Sequence, residues 1–438
     1  MASKSTAFDL SKCARPNILA LEPYRCARDD YKDDGKNILL DANENAYGPG
    51  LALDKDGQFP NGTIDSSSSG TAIKIDLLGL NRYPDPHQIE LKQDLCNLRN
   101  THAHTDKTLT PEHLFVGVGS DEAVDALLRA FCVPGRDQIL VCPPTYGMYS
   151  VSAQVNDVAL VKVPLQIPGF QLDVSAIKNA LSSDSDIKMA YLCSPGNPTG
   201  TLLKKEDVKS ILETQGWNGV VVLDEAYIDF APDDSSLAEW VTEWPNLVVL
   251  QTLSKAFGLA GIRLGAAFTD PAIARILNSL KGPYNISNPT SQIARAALRP
   301  EHLSAMVKNK ENIIQQRERL IKELPKIPGV GKLIGGQESN FLLYQMLDAP
   351  SDQSGQPSNE TALAVYEGLA EEKGVVVRFR GKEYGCLGCL RITVGTEKEV
   401  DRFLKEIRSV LENIFRKSGK LGAKEEERRE TEANAVVA

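Results

Sequence analysis

The chain has 438 residues, 42% of them hydrophobic and 24% charged, with a formal net charge of −9 and a pI near 5.3. These values suit a soluble globular protein of two or three domains with a large core. The acidic balance argues against nucleic acid or an acidic membrane as the main partner. No run approaches the ~18 uninterrupted apolar residues of a membrane-spanning helix. Met1–Leu21 lacks the basic start and apolar stretch of a secretory signal. The eight cysteines are scattered, and Cys132, Cys142 and Cys193 sit in or beside apolar runs as buried thiols do. Cys386-Leu-Gly-Cys389 has no second pair and no histidine pair at zinc spacing, so it reads as structural and no metal is expected. Such cysteine usage fits a reducing, cytoplasmic setting.

In chain order, an N-terminal segment (1–50) precedes a glycine- and serine-rich stretch (51–75) with Ser66-Ser-Ser-Ser69, which reads as a flexible insertion. From 76 to 299, apolar runs alternate with helical patterns. Glu122–Phe131 carries an apolar face of Val124, Leu127, Leu128 and Phe131, and Lys204–Thr214 is helix-like. Ile139–Cys142, Met189–Cys193, Val220–Leu223 and Leu247–Leu250 are continuous and rich in β-formers, as strands buried on both faces of a parallel sheet are. The alternation implies βαβ crossovers and an α/β fold: a large domain with a mostly parallel sheet flanked by helices. Each strand runs into a polar loop: Pro143-Pro-Thr-Tyr146, Ser194-Pro-Gly-Asn-Pro-Thr-Gly200, Asp224-Glu-Ala-Tyr227 and Thr252–Lys255. Ligands of open α/β sheets bind beyond the carboxyl ends of the strands, so these four loops are candidates for one site. From 300 to 414, a long helix (Glu301–Leu324) followed by Asn340–Tyr344, Val375–Arg378 and Leu390–Val394 suggests a smaller α+β domain. Residues 415–438, with Lys424-Glu-Glu-Glu-Arg-Arg-Glu430, read as a solvated charged tail.

The loop from Thr252 to Arg263 offers an amine (Lys255), two hydroxyls (Thr252, Ser254) and a guanidinium (Arg263). Such a set can form a Schiff base with an aldehyde and grip a phosphate beside it, and pyridoxal 5′-phosphate carries both groups. Asp224 ends an apolar strand, where a bare carboxylate is costly unless paired. A protonated pyridine nitrogen is a suitable partner, and the electron-sink chemistry of this cofactor needs a carboxylate to hold that proton. Asn197 lies one strand–helix–strand step before Asp224, and Lys255 one step after it. The Asn197 amide and the Tyr227 hydroxyl can donate to the pyridine 3′-oxygen and favour its charged form. Gly117-Val-Gly-Ser-Asp-Glu-Ala-Val124 opens a helix for which Ser120 is the expected N-cap. The free N–H groups there suit a phosphate, and Asp121 and Glu122 are expected to turn their side chains away from it. Tyr146 can stack on the cofactor ring.

Together these residues resemble the fold-type-I pyridoxal-phosphate aminotransferases, and among them the histidinol-phosphate aminotransferase family. The resemblance rests on Leu21-Glu-Pro-Tyr24, Asp41-Ala-Asn-Glu-Asn45, Asn81-Arg-Tyr-Pro-Asp85, Arg129-Ala-Phe-Cys132, Cys142-Pro-Pro-Thr-Tyr-Gly-Met-Tyr149, Asp224-Glu-Ala-Tyr227, Thr252-Leu-Ser-Lys-Ala-Phe257 and Cys389-Leu-Arg-Ile-Thr-Val-Gly395. Gly196 stands where many relatives place another Asn.

The resemblance implies that Lys255 carries the cofactor and shuttles a proton, that Asp224 pairs with the pyridine nitrogen, and that Asn197 and Tyr227 hold the 3′-oxygen. It implies stacking by Tyr146 and phosphate binding by donors near Ser120-Asp121 with Ser254 and Arg263. Tyr83 is expected to reach that phosphate from the partner subunit of a homodimer. Arg391 is expected to bind the glutamate carboxylate and, in its turn, the phosphate of histidinol phosphate, with Arg378 and Tyr24 in the same anion pocket. The implied reaction is transamination between L-histidinol phosphate and 2-oxoglutarate. The alternatives are an aromatic aminotransferase and a pyridoxal-phosphate decarboxylase of a phosphorylated amino acid. A regulatory protein that kept the fold without catalysis is expected to be fused to a DNA-binding domain or to have lost Lys255 or Asp224, and both residues are present.

Overall fold

A computed structural model describes residues 15–20, 30–31, 36–51 and 78–419. Tyr24, the expected insertion from residue 52 onward and the part of the expected tail beyond Gly419 lie outside the described residues; residues 415–417 belong not to a solvated tail but to the last helix, where Phe415 is buried.

The strands are β1 (Ile38–Leu39), β2 (Leu114–Val118), β3 (Gln138–Val141), β4 (Ala159–Lys162), β5 (Ile187–Cys193), β6 (Val220–Asp224), β7 (Leu247–Thr252), β8 (Leu264–Thr269), β9 (Val330–Ile334), β10 (Phe341–Met346), β11 (Val375–Val376), β12 (Arg378–Phe379) and β13 (Cys389–Thr393). Seven of them form one sheet in the order β2-β8-β7-β6-β5-β3-β4. Only β8 runs against its neighbours, so the sheet is mostly parallel, as expected. Every residue of β6 is buried, which explains why its sequence reads as an unbroken apolar run. The expected strands β3, β5, β6 and β7 are all present, with ends displaced by one or two residues. β8 was not legible, because Gly265-Ala-Ala267 dilutes its β-former signal.

A second sheet, β12-β13-β10-β9, is antiparallel, and β1 pairs in parallel with β11. The run Val375–Arg378, expected as one strand, divides between these two sheets at buried Val377. The helices that matter for the site are α1 (Gly119–Phe131), α2 (Met148–Val155) and α3 (Glu397–Lys417). Thr396 caps α3: its hydroxyl accepts from Glu399 N–H, while the Glu399 carboxylate accepts from Thr396 N–H. The buried face of α3 includes Val400, Phe403, Ile407 and Leu411.

The register of the parallel strands sets the site. Cys193 of β5 lies opposite Asp224 of β6, and Asp224 lies opposite Leu250 of β7. The loops that carry Asn197, Tyr227 and Lys255 therefore leave one edge of the sheet at one level. The segment Asp41–Asn45 lies across that edge, tied by Thr393 N–H to Leu40 O (3.0 Å) and by Asn45 Nδ2 to Ala256 O (2.9 Å).

Candidate active site

A cavity of about 300 Å³ opens at this edge, large enough for a small cofactor. It is lined by the β5–β7 loops, the start of α1, Asp41–Glu44 and the arginines of β12 and β13. Ser120, Asp121, Tyr146, Asn197, Asp224 and Tyr227 all line it, as do Ser254, Lys255, Arg263, Arg378 and Arg391. The structure thus brings together every expected site residue among the described ones except Tyr83.

Asp224 is 3% exposed. Burial raises its carboxyl from the ordinary 3.8 to about 6, against the opposing effect of two donors. Tyr149 donates its hydroxyl to Oδ2 at 2.6 Å, and Ala226 N–H donates to Oδ1 at 3.1 Å. Tyr149 is itself fully buried, stacked on Tyr191 with ring centroids 4.7 Å apart. The sequence reading quoted it within a motif and assigned it no role. No local pattern marked it: Tyr146 precedes α2 and Tyr149 lies on it, and the fold brings the two rings edge to face with centroids 5.5 Å apart.

Lys255 Nζ donates to Ala42 O at 3.2 Å and lies 5.8 Å from the centre of the Tyr227 ring. Burial lowers its amine from 10.5 to about 8, and the Arg391 cation lowers it further than any other charge does. A usable fraction is therefore neutral, and so nucleophilic, near neutral pH. Tyr227 is 4% exposed, and burial raises its phenol to about 12, so it keeps its proton. Asn43 Nδ2 donates to the Tyr227 hydroxyl at 2.9 Å, which directs the phenolic proton elsewhere. Asn43 has a left-handed backbone (φ 54°), and its Oδ1 accepts from Thr393 Oγ at 2.9 Å. The sequence reading quoted its motif but missed this role, which joins residues 350 positions apart.

Arg391 is 4% exposed. Its Nη1 donates to Asn197 Oδ1 at 2.8 Å and its Nη2 to Asp41 O. The guanidinium lies 5.4 Å over the Phe341 ring. Burial, then the neighbouring Arg380, lowers its pKa to about 9, so it stays cationic at neutral pH. Because Asn197 Oδ1 accepts from Arg391, its Nδ2 is the group left to donate into the cavity.

Two expectations at the start of α1 are corrected. Ser120 is not the N-cap: the helix begins at Gly119, and Val118, which has no capping side chain, precedes it. The Glu122 carboxylate turns back to accept from Val118 N–H, as expected, but Asp121 faces the cavity. There it accepts from the Tyr146 hydroxyl at 3.2 Å and lies 3.9 Å from Arg263 Nη2. A cation and a phenol offset the repulsion that argued against this placement. Gly119 has a left-handed backbone (φ 72°), which favours glycine, and a methyl group there would press on Arg263 Nη2 at 2.7 Å. Gly265 lets β8 approach the helix start, where a methyl group would lie 2.2 Å from Ser120 N. The open helix start, the Ser254 hydroxyl and Arg263 together offer a cradle that could hold a phosphate. A buried strand-end carboxylate, an amine of lowered pKa and this cradle fit pyridoxal 5′-phosphate.

Tyr83 stands apart. It is 81% exposed and stacks on Tyr284 with ring centroids 4.6 Å apart. Cys386 and Cys389 are buried free thiols, as expected for structural cysteines. Among the described residues no cluster of His, Cys, Asp and Glu suits a metal ion.

Two outcomes follow from the electrostatics. Between pH ~4 and ~6, folded Asp224 retains a proton that the unfolded chain has lost, so cofactor-free protein loses stability as pH rises through that window. Tyr149→Phe removes a donor to the ionised form and is expected to cost about 1–3 kcal/mol, more at pH 7.5 than at pH 5, by urea unfolding. An equal cost at both pH values would show that the hydroxyl does not act on the carboxylate. Covalent capture of pyridoxal 5′-phosphate by cofactor-free protein is expected to speed up as pH rises through about 8. Arg391→Gln should move that midpoint upward; an unmoved midpoint would remove Arg391 as a cause.

Residues 69–407 match the family model for aminotransferase class I and II. The histidinol-phosphate aminotransferase of Schizosaccharomyces pombe is 53% identical over 410 residues, covering 94% of this chain and 100% of that protein. The histidinol-phosphate aminotransferase of Candida maltosa is 48% identical, covering 93% of this chain and 99% of that protein. The crystal structure of histidinol-phosphate aminotransferase from Sinorhizobium meliloti, in complex with pyridoxal 5′-phosphate, is similar with a TM-score of 0.74. It covers 92% of this chain and 98% of that one, and at 22% identity it speaks for the fold alone. With a strand-end aspartate, a loop lysine and a phosphate cradle on that fold, the chain belongs to the class I and II aminotransferases, and within them to the histidinol-phosphate aminotransferase family.

Proposed function

We propose that this chain transfers an amino group between L-histidinol phosphate and 2-oxoglutarate in L-histidine biosynthesis, yielding imidazole acetol phosphate and L-glutamate. The observation that carries the reading is Lys255 in one cavity with Asp224 on one side sheet and Arg391 on the other. Bound pyridoxal 5′-phosphate supplies an aldehyde that takes up the amino group and a ring that accepts the electrons of the deprotonated substrate carbon.

The remaining work falls to the chain's own groups. Asp224, ionised above pH ~6, keeps a proton on the ring nitrogen. Tyr227 and Asn197 donate to the 3′-oxygen, and Tyr146 covers the ring. The helix start at Ser120 and Asp121, with Ser254 and Arg263, holds the cofactor phosphate. Lys255 Nζ takes the proton from the substrate carbon and returns it at the neighbouring position, a task suited to an amine with a pKa near 8. Arg391 and Arg378 bind the substrate anion. A guanidinium grips carboxylate or phosphate bidentately, so one pocket serves both substrates in turn.

The active unit is a homodimer in the cytoplasm, with Tyr83 completing the partner's phosphate site. The exposure of Tyr83 and its stacking on Tyr284 support that placement. No helix among the described residues is long and apolar enough to cross a membrane.

Enzyme loaded with cofactor and given L-glutamate alone is expected to release one equivalent of 2-oxoglutarate. The same loaded enzyme given L-histidinol phosphate should release imidazole acetol phosphate. Turnover of an aromatic amino acid but not of histidinol phosphate would overturn the substrate, and carbon dioxide release would point to a decarboxylase. Mixing a Tyr83→Phe chain with a Lys255→Ala chain should restore part of the activity through hybrid sites; absence of rescue would count against shared sites.

A further inference from the structure

Arg378 and Arg391 lie directly opposite one another in the antiparallel pair β12–β13. Like charges at such positions repel. The ladder continues one residue further, Arg380 N–H donating to Cys389 O at 2.9 Å. Arg380, two residues after Arg378, therefore shares its face, diagonal to Arg391. All three arginines line the cavity. Two of them hold buried Nε–H donors with no partner, at Arg380 and at Arg391. Orphan donors are rare in native proteins, and these two belong to guanidiniums that line one cavity.

We propose that Arg380 is a specificity-determining residue: a third guanidinium that favours a dianionic phosphate over a monoanionic carboxylate in the substrate-anion pocket, with Glu383 holding it while the smaller charge is bound. The proposal rests on the transamination reading above and deepens it. A carboxylate is matched by one bidentate guanidinium, whereas a phosphate monoester carries a charge of about −1.5 to −2 on three acceptor oxygens. Glu383 Oε1 accepts from Arg380 Nη1 at 2.8 Å, and both side chains are about one-quarter exposed. Glu383 does not line the cavity, so it can share Arg380 without entering the anion site. The turn between them is fixed. Asn359 Nδ2 donates to Gly381 O at 2.9 Å, and a methyl group at Gly381 would lie 2.1 Å from Asn359 Oδ1.

The test compares KM for L-histidinol phosphate with KM for L-glutamate in cofactor-loaded enzyme. Arg380→Gln should raise the ratio of the two roughly tenfold, the scale of one lost charge-assisted pair, and Arg380→Lys should fall between. Glu383→Gln, which releases Arg380, should lower the ratio, and it keeps the test decisive if Arg380→Gln fails to fold. A ratio unchanged in the variants that fold would overturn the role of Arg380. Wild-type enzyme that turns over glutamate but not histidinol phosphate would instead overturn the transamination reading.

Discussion

A carboxylate buried at the end of a parallel strand is the constraint on which the rest of the site depends. Asp224 cannot remain ionised there without donors, and an isolated charge in such a place would neutralise by taking up a proton. The chain supplies one donor from the backbone of its own loop and one from Tyr149, whose ring is locked between Tyr191 and Tyr146. The Tyr149 hydroxyl thus occupies one carboxylate oxygen and keeps the proton affinity of the group near neutrality. A cationic ring nitrogen is the kind of partner that such a carboxylate suits.

The second theme is crowding of like charge. Lys255, Arg263, Arg378, Arg380 and Arg391 share one cavity, with Asp41, Glu44, Asp121 and Asp224 as the opposing carboxylates in its lining. The cations depress one another: Arg391 acts on Lys255, and Arg380 acts on Arg391. The same crowding of positive charge that lowers the lysine pKa favours anions in the cavity. Function and electrostatic tension have one origin here, as perturbed groups at functional sites commonly do.

The strap Asp41–Asn45 joins the two sheets at this point. Asn43 links Thr393 of β13 to Tyr227 beyond β6, and Asn340 Nδ2 donates to Asn43 O at 3.0 Å. Its buried polar groups reach both sheets, so an orientation that served the arginines and not the cofactor loops would leave donors unsatisfied. The pairing of β1 with β11 anchors the start of the strap.

Lys255, Asp224, Asn197 and Tyr227 were legible from the sequence because each follows a continuous apolar run, and strands buried on both faces advertise themselves by composition. The parallel order of those strands then implied one functional edge without any coordinates. Tertiary structure decided what local pattern does not encode. Tyr149 had no assigned role until the fold put its hydroxyl on Asp224. Asp121 was expected to avoid the cavity until Arg263 and Tyr146 were found beside it. Val375–Arg378 looked like one strand until two sheets divided it. Arg380 gained meaning only from its diagonal position to Arg391. Apolar runs and the polar loops that follow them are local properties of composition and periodicity, so sequence determines roughly where the buried strands lie. Hydrogen bonds and repulsions between residues that are distant in the chain depend on register and packing, which exist only once the chain has folded.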